Sequence, residues 1–209
     1  MYVILKILKN EGTELCADIN IHPHKTYSGG KILITEIKSP RLFLRKMNVL
    51  DKAQLFEIWS DPEVTKYMNI DRFTSMKQVE EMIQLFDTLS QNNEAIRYSI
   101  IELASEEIIG TCGFNAIDYD NAKAEIGYDL RRKYWGKGYA AEAITSLIHY
   151  AFNDLNINRI EAKIEPENRN SIKLIERLGF NYEGTLREAE KSKGQFINLK
   201  LYSKLASDK

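Results

Sequence analysis

Apolar side chains at Val79, Met82, Ile83, Phe86 and Leu89 recur at three- and four-residue steps, as on one buried helix face. Ser75 and Gln78 stand ahead of them at capping-box spacing, so a helix should begin there. A longer stripe, Ala140, Ile144, Leu147, Ile148, Ala151, Phe152 and Leu155, predicts a helix over residues 140–155. A third helix is expected from Ser171 to Leu178, ended by Gly179 in the C′ position. Asp51 can cap a short helix through LFEIW to Ser60, and Asp61-Pro62 marks the next turn. Strands follow from alternation: Leu42 and Leu44 lie between charged neighbours in RLFLRKM, and RYSIIEL and EIIGTCGF join through ASEE as a hairpin. AEIGYDL, RIEAKIE, GTL and INLKLYSKL complete the set. Before Ser39-Pro40 the pattern is weak: YVILKIL and ILITEI have strand character, and HPHKTYSGGK reads as a loop.

This order predicts a mixed α/β (α+β) fold, one domain around a single, mostly antiparallel sheet. AEIGYDL, the long helix and RIEAKIE form a βαβ unit, so those two strands should be parallel with a right-handed crossover. The domain is expected over residues 39–209, with 1–38 as an N-terminal extension. Added edge strands, a dimer contact and partial disorder all stay open for that extension, and a homodimer with them.

Composition narrows the function classes. The 209 residues suffice for a sizeable core. A net charge of -1 offers no global field for nucleic acid or an anionic membrane. No apolar run approaches the roughly 18 residues of a membrane span, and MYVILKILK is too short for a signal peptide. The chain is expected in the cytoplasm, with neither nucleic acid nor membrane as partner. Cys16 and Cys112 imply no disulfide framework; Cys112, within strand-like IIGTCGF, should be a small buried residue. His22 and His24 fall in a turn-like stretch and His149 lies off its helix stripe, so no metal site is expected. No Ser/His/Asp or Cys/His set stands out, and the chemistry should need no covalent protein nucleophile.

One stretch does not fit a purely structural role. KYWGKGYAAEA, residues 133–143, sets two glycines around a lysine just before the long helix. Glycine there loses extra backbone entropy on folding but lets the backbone come close to an anion. A Walker loop needs Ser or Thr after its GK, and Gly138 is followed by Tyr139. The dinucleotide fingerprint is met literally by Gly136, Gly138 and Ala141, but RRKYW separates it from the strand.

Together with NRNSIKLIERLGF, residues 168–180, this loop resembles the coenzyme A acetyltransferases of the GNAT superfamily. Within it the chain is similar to the ribosomal-protein N-terminal (RimJ/RimL-like) branch, over roughly residues 39–205. The superfamily loop is Gln/Arg-x-x-Gly-x-Gly/Ala; Gly138-Tyr139-Ala140 fills its second half, and Trp135 stands where Gln or Arg is common. The resemblance implies a GNAT-type domain with helices on both faces and a βαβ unit splayed to admit coenzyme A. Acetyl-CoA is then the cosubstrate, with no metal. Amides from Gly136 to Ala141, through Ala140, would grip the pyrophosphate. Arg131, Arg132, Lys133 and Lys137 surround that helix start, though for each a solvated surface role is an equal alternative. Asn168 would bond the pantetheine arm and Ser171 would lie near the thioester sulfur; the alternative is a helix cap at Asn170 or Ser171.

Acetyl transfer to an amine needs a base, because a free amine is mostly protonated at neutral pH. With no histidine to serve, the resemblance puts Glu190, shortly after EGTLRE, in that role, against a solvated charge as the alternative. A backbone amide near Leu130 would meet the oxyanion. Ser171 would serve the departing thiolate, as donor or only as hydrogen-bond partner. Many relatives carry a Tyr four residues after the Ser, where this chain has Ile175, and a His-Asp pair before the last strand, where it has Gly194-Gln195-Phe196-Ile197-Asn198. Asp118, Asp120 and Glu125 are candidates for a carboxylate-lined mouth. The expected acceptor is a protein N-terminal α-amine. A polyamine or aminoglycoside, and a non-catalytic coenzyme A-binding regulator, are the alternatives.

Overall fold

The computed structural model describes residues 33–208. The strands suggested at YVILKIL and the loop HPHKTYSGGK lie outside the described residues, as do Cys16, His22 and His24. From residue 33 onward the chain already belongs to the fold: Leu33 is in the core, and the Tyr98 hydroxyl donates to the Ile34 carbonyl at 2.8 Å. Eight strands form one sheet: β1 (Glu36–Lys38), β2 (Leu42–Lys46), β3 (Ile96–Glu102), β4 (Ile108–Asp118), β5 (Lys123–Leu130), β6 (Arg159–Ile164), β7 (Asn181–Ser192) and β8 (Gln195–Leu205). Their spatial order is β1-β2-β3-β4-β5-β6-β8-β7. Every neighbouring pair is antiparallel except β5 and β6, which are parallel as the crossover requires.

Five helices cover the sheet: α1 (Lys52–Trp59), α2 (Pro62–Thr65), α3 (Met76–Gln91), α4 (Tyr139–Asn153) and α5 (Arg169–Arg177). Alternation along β3 divides them. Ile96, Tyr98 and Ile100 join the core under α4 and α5, with Ile144, Leu147 and Ile175. The other face packs Leu55, Ile58 and Trp59 of α1 and Val79, Met82 and Phe86 of α3. None of these helices is long and apolar enough to cross a membrane. His149 is exposed. Cys112 is fully buried, and burial pushes its thiol up to about 12.

Three local readings need correction. Asp51 does not cap α1: it is αR, and its carboxylate turns back to accept from the Asn48 amide and the Ser99 hydroxyl. Asn48 caps a 3-10 turn over Val49–Asp51 instead. Asp61-Pro62 starts a helix rather than a simple turn, with Asp61 accepting from the Glu63 amide and Pro62 at its first position. The strand read as GTL extends through Ser192 and meets β8 in a two-residue hairpin, Lys193-Gly194, both at positive φ. The Ser75–Gln78 capping box and Gly179 at φ +78 stand where the pattern put them.

Candidate active site

β5 and β6 pair only through Lys123↔Arg159, Ala124↔Ile160 and Glu125↔Glu161. Beyond that point β5 stays with β4 as far as Gly110↔Leu130, while β6 stays with β8 as far as Ile164↔Lys200. The two strands therefore splay. Arg131 donates its amide to Ile109 of β4, so alternation turns the amide and carbonyl of Leu130, and those of Tyr128, away from β4 into the gap. A cavity of about 160 Å³ occupies it, lined by Trp59, Phe86 and Arg97 from one face of the sheet and by Tyr128, Asn168 and Ser171 from the other. The gap thus passes through the sheet.

At the end of β5 the chain makes a 3-10 turn, Arg132–Tyr134, and enters the glycine loop. Gly136 (φ +72) and Gly138 (φ +82) are both left-handed, and Gly138 is the N-cap of α4 with no side chain capping the helix. The first amides of α4, with Ala140 and Ala141, therefore face an exposed loop with their donors uncapped, the arrangement an anion needs. A Cβ at Gly136 would meet nothing within 4 Å, so its dihedral and an open approach, not crowding, account for glycine. The Trp135 indole donates to the Leu130 carbonyl at 2.7 Å, tying the loop to the end of β5.

The loop cations are placed less simply. Arg131 pairs with Glu57 at 2.8 Å, Arg132 with Asp61 at 2.8 Å and Lys133 with Glu107 at 2.6 Å. Lys137 lies 5.5 Å from the Tyr134 ring centre and pairs with no carboxylate among the described residues. A further cation was invisible in the motif: Arg41, before β2, donates to the Lys137 carbonyl at 3.0 Å and to Glu142 at 2.6 Å. Burial raises the Glu142 carboxyl, but the Ser39 hydroxyl and the Arg41 amide and guanidinium outweigh it and hold the group below the usual range.

Asn168 caps α5 itself, its Oδ1 accepting from the Ser171 amide at 3.2 Å, so the cap weighed as an alternative at Asn170 or Ser171 falls at Asn168 instead. Ser171 is in the first turn and lines the cavity. Ile175, one turn on, is wholly buried in the core. The Tyr128 hydroxyl is buried without a hydrogen-bond partner among the described residues, a cost of about 1–3 kcal/mol. Burial pushes its phenol up to about 12; Ser171 is close enough to oppose that rise but falls short of hydrogen-bond geometry.

Glu190 reaches the cavity from β7, just past a register shift between Leu186 and Glu190, the kind of bulge that re-aims side chains. The Lys193 ammonium, at the hairpin tip, donates to the Thr65 and Lys66 carbonyls at 2.8 Å each. Asn69, 6 % exposed, donates to Glu190 Oε2 at 2.7 Å. Of the three carboxylates considered for the mouth, only Glu125 lines the cavity, bonded to Lys163 at 2.7 Å. Asp118 instead accepts from Asn121 within the β4–β5 turn, and Asp120 lies in that same exposed turn. Glu165 also lines the cavity; burial, then Glu167 and Glu190, raise its carboxyl, with Lys193 opposing. Beneath them Arg97 pairs with Asp129 at 2.8 Å.

Comparison with known proteins gives this geometry a context. A family model described as an acetyltransferase (GNAT) domain matches residues 41–181. An uncharacterized N-acetyltransferase p20 of Bacillus licheniformis is 56% identical over 165 residues, 79% of this chain and 93% of that protein. Among solved structures, RimL, a ribosomal L7/L12 alpha-N-protein acetyltransferase in complex with coenzyme A, matches with a TM-score of 0.72 at 26% identity, covering 81% of this chain and 97% of that one. The microcin C7 self-immunity acetyltransferase MccE, with acetyl-CoA and AMP, matches with a TM-score of 0.75 at 26% identity over 84% of this chain and 98% of its own.

Proposed function

The chain belongs to the GNAT acetyltransferase family and uses acetyl-CoA, and we propose that its acceptor is the N-terminal α-amine of a protein. The observation that carries this reading is the cavity through the sheet, with Glu190 at one side and Ser171 at the other. Glu190 takes the amine proton, held in aim by Asn69. The amide at Leu130 receives the developing oxyanion, and Ser171 lies with the leaving sulfur. The uncapped start of α4, the left-handed glycines and Lys137 hold the pyrophosphate. Asn168, its Oδ1 used by the helix, keeps its amide hydrogens for the pantetheine arm.

Charge and size favour a single amine over a polycation. The cavity sets Glu125, Glu165 and Glu190 against Arg97 and Lys163, and Glu125 is already paired. Its walls on the acceptor side are Trp59, Met68, Ile70, Met82 and Phe86. The space of about 160 Å³ is shared with the acetylated end of the cofactor, so it takes one amine with a short side chain and leaves the rest of a peptide outside. The likeness to RimL, whose name specifies α-N-protein acetylation, supports the same choice.

Thiol release from acetyl-CoA across N-terminal peptides, polyamines and aminoglycosides tests both parts. Turnover is expected with peptides, with kcat about 10²-fold lower in Glu190→Gln and the KM for acetyl-CoA unchanged. Turnover confined to polyamines would overturn the acceptor class, and full activity in Glu190→Gln would overturn the base.

A further inference from the structure

We propose that Lys193 is a positioning residue for the catalytic base: by tying the tip of the β7–β8 hairpin to the end of α2, it fixes where Glu190 meets the acceptor amine. The inference rests on Glu190 acting as that base. Glu190 stands on a weakly supported piece of sheet. Between Leu186 and Glu190 the ladder to β8 loses its register, and Glu188 takes a left-handed φ of +47. Beyond that break the ladder runs only through Glu190↔Ile197, Lys191↔Phe196 and Ser192↔Gln195. β7 is the last strand of the sheet, so this tip has no neighbouring strand on its outer side among the described residues. Phe196 is 65 % exposed there and contributes little burial. A short two-stranded ribbon of this kind is at best marginally stable in water by itself.

Lys193 supplies the missing support. Its ammonium donates to the Thr65 and Lys66 carbonyls at 2.8 Å each, at the end of α2, where helix carbonyls lack intrahelical partners. Thr65 is 2 % exposed and Val64 belongs to the core, so the anchor is part of the folded body. A few residues on, Asn69 donates to Glu190 itself, and Tyr67, Met68, Asn69 and Ile70 line the cavity. One segment thus holds the hairpin tip, the base and the acceptor wall in a single arrangement. The turn gives independent support. Lys193 and Gly194 are the central pair of a two-residue hairpin, at φ +48 and +85. That geometry favours Asn-Gly or Asp-Gly, and a lysine takes it only against a steric cost. Lysine is thus poorly suited to the turn and well suited to the contact with α2.

Thiol release from acetyl-CoA, with the amine of the panel above that native protein turns over fastest, separates a positioning role from a structural one. Lys193→Asn gives the turn its preferred pair and removes the contact, so its melting temperature should stay within about 3 °C of native. Its kcat should nevertheless fall about tenfold or more, because a misplacement near 1 Å can cost about 10²-fold. The KM for acetyl-CoA should stay within about twofold. Lys193→Met, which keeps the stem and loses the donors, should show the same fall and carries the comparison if the asparagine variant does not fold. Lys193→Arg, whose guanidinium has donors for both carbonyls, should stay within about threefold of native. In a Glu190→Gln background Lys193→Asn should cost nothing further, since residues acting as one unit are not additive. Native kcat in Lys193→Asn and Lys193→Met would overturn the proposal. So would a loss repeated in full in the Glu190→Gln background, which would place the effect elsewhere than on the base. Full activity in Glu190→Gln would overturn Glu190 as the base and this inference with it, an outcome distinct from either result with the Lys193 variants.

Discussion

Gly136 and Gly138 carry the same left-handed dihedral for different neighbours. A Cβ at Gly136 would stand in open space, whereas one at Gly138 would lie 3.4 Å from the Arg41 guanidinium. An L-residue forced into this region costs about 1–2 kcal/mol, so Gly136→Ala and Gly138→Ala should each lower the melting temperature by about 2–8 °C. Backbone that relaxes to escape that strain misdirects the loop amides, and about 1 kcal/mol of lost binding is about fivefold in affinity. Both variants should therefore raise the KM for acetyl-CoA about fivefold or more; an unchanged KM would mean that the loop amides do not hold the cofactor. These glycines, Ser171 and Glu190 were legible because each lies in a short linear pattern. Asn69 was not, because the group that gives it meaning, Glu190, is 121 positions away.

The glycine loop before α4 depends on an element far from it in sequence. Ser39 and Arg41, at the entry to β2, converge on Glu142 in the first turn of α4, at 2.7 Å from the serine hydroxyl and 2.6 Å from the guanidinium. Arg41 is nearly half exposed, so its ion pair contributes only about 0.2–1 kcal/mol to stability. Its larger effect should be on the loop, through the hydrogen bond to the Lys137 carbonyl. Arg41→Ala should raise the KM for acetyl-CoA several-fold while kcat stays within about twofold and the melting temperature moves by about 3 °C or less. A fall in kcat with KM unchanged would contradict that account. Amphipathic elements such as α3 and α4 were legible from period alone, since one buried stripe sets both their limits and their orientation. β7 was cut short in the reading because it is mostly exposed along its length and lies at the sheet edge. REAEKS carries no alternation to find, and what makes it a strand is its ladder to β8, Glu190↔Ile197 through Ser192↔Gln195.

At the scale of the whole molecule, a net charge near zero hides a directional response to acid. Arg159 on β6 donates two hydrogen bonds to Glu183 on β7, and Ser203 on the intervening β8 donates a third. This triad, with the Arg159 contact the larger cause, lowers the Glu183 carboxyl to about 2. Asp118, accepting from Asn121, and Glu142 are lowered as well. A carboxyl lowered in the folded state contributes stability above its ordinary pKa, near 4.3 for Glu, and loses it as pH falls through the folded value. Between about pH 5 and pH 2 the unfolded chain therefore binds more protons, and stability must fall with acid. Glu165 acts in the other direction: its folded pKa is raised, chiefly by burial, so its favourable contribution is present at low pH and is lost as pH rises through that value. Scanning calorimetry across this range should show a falling melting temperature in acid. The fall should be shallower in Glu183→Gln, while Glu165→Gln should be more stable than the native protein near pH 7 and equal to it near pH 3. A limb as steep in Glu183→Gln as in the native protein would mean that the three-strand triad does not set the acid response, whatever its geometry.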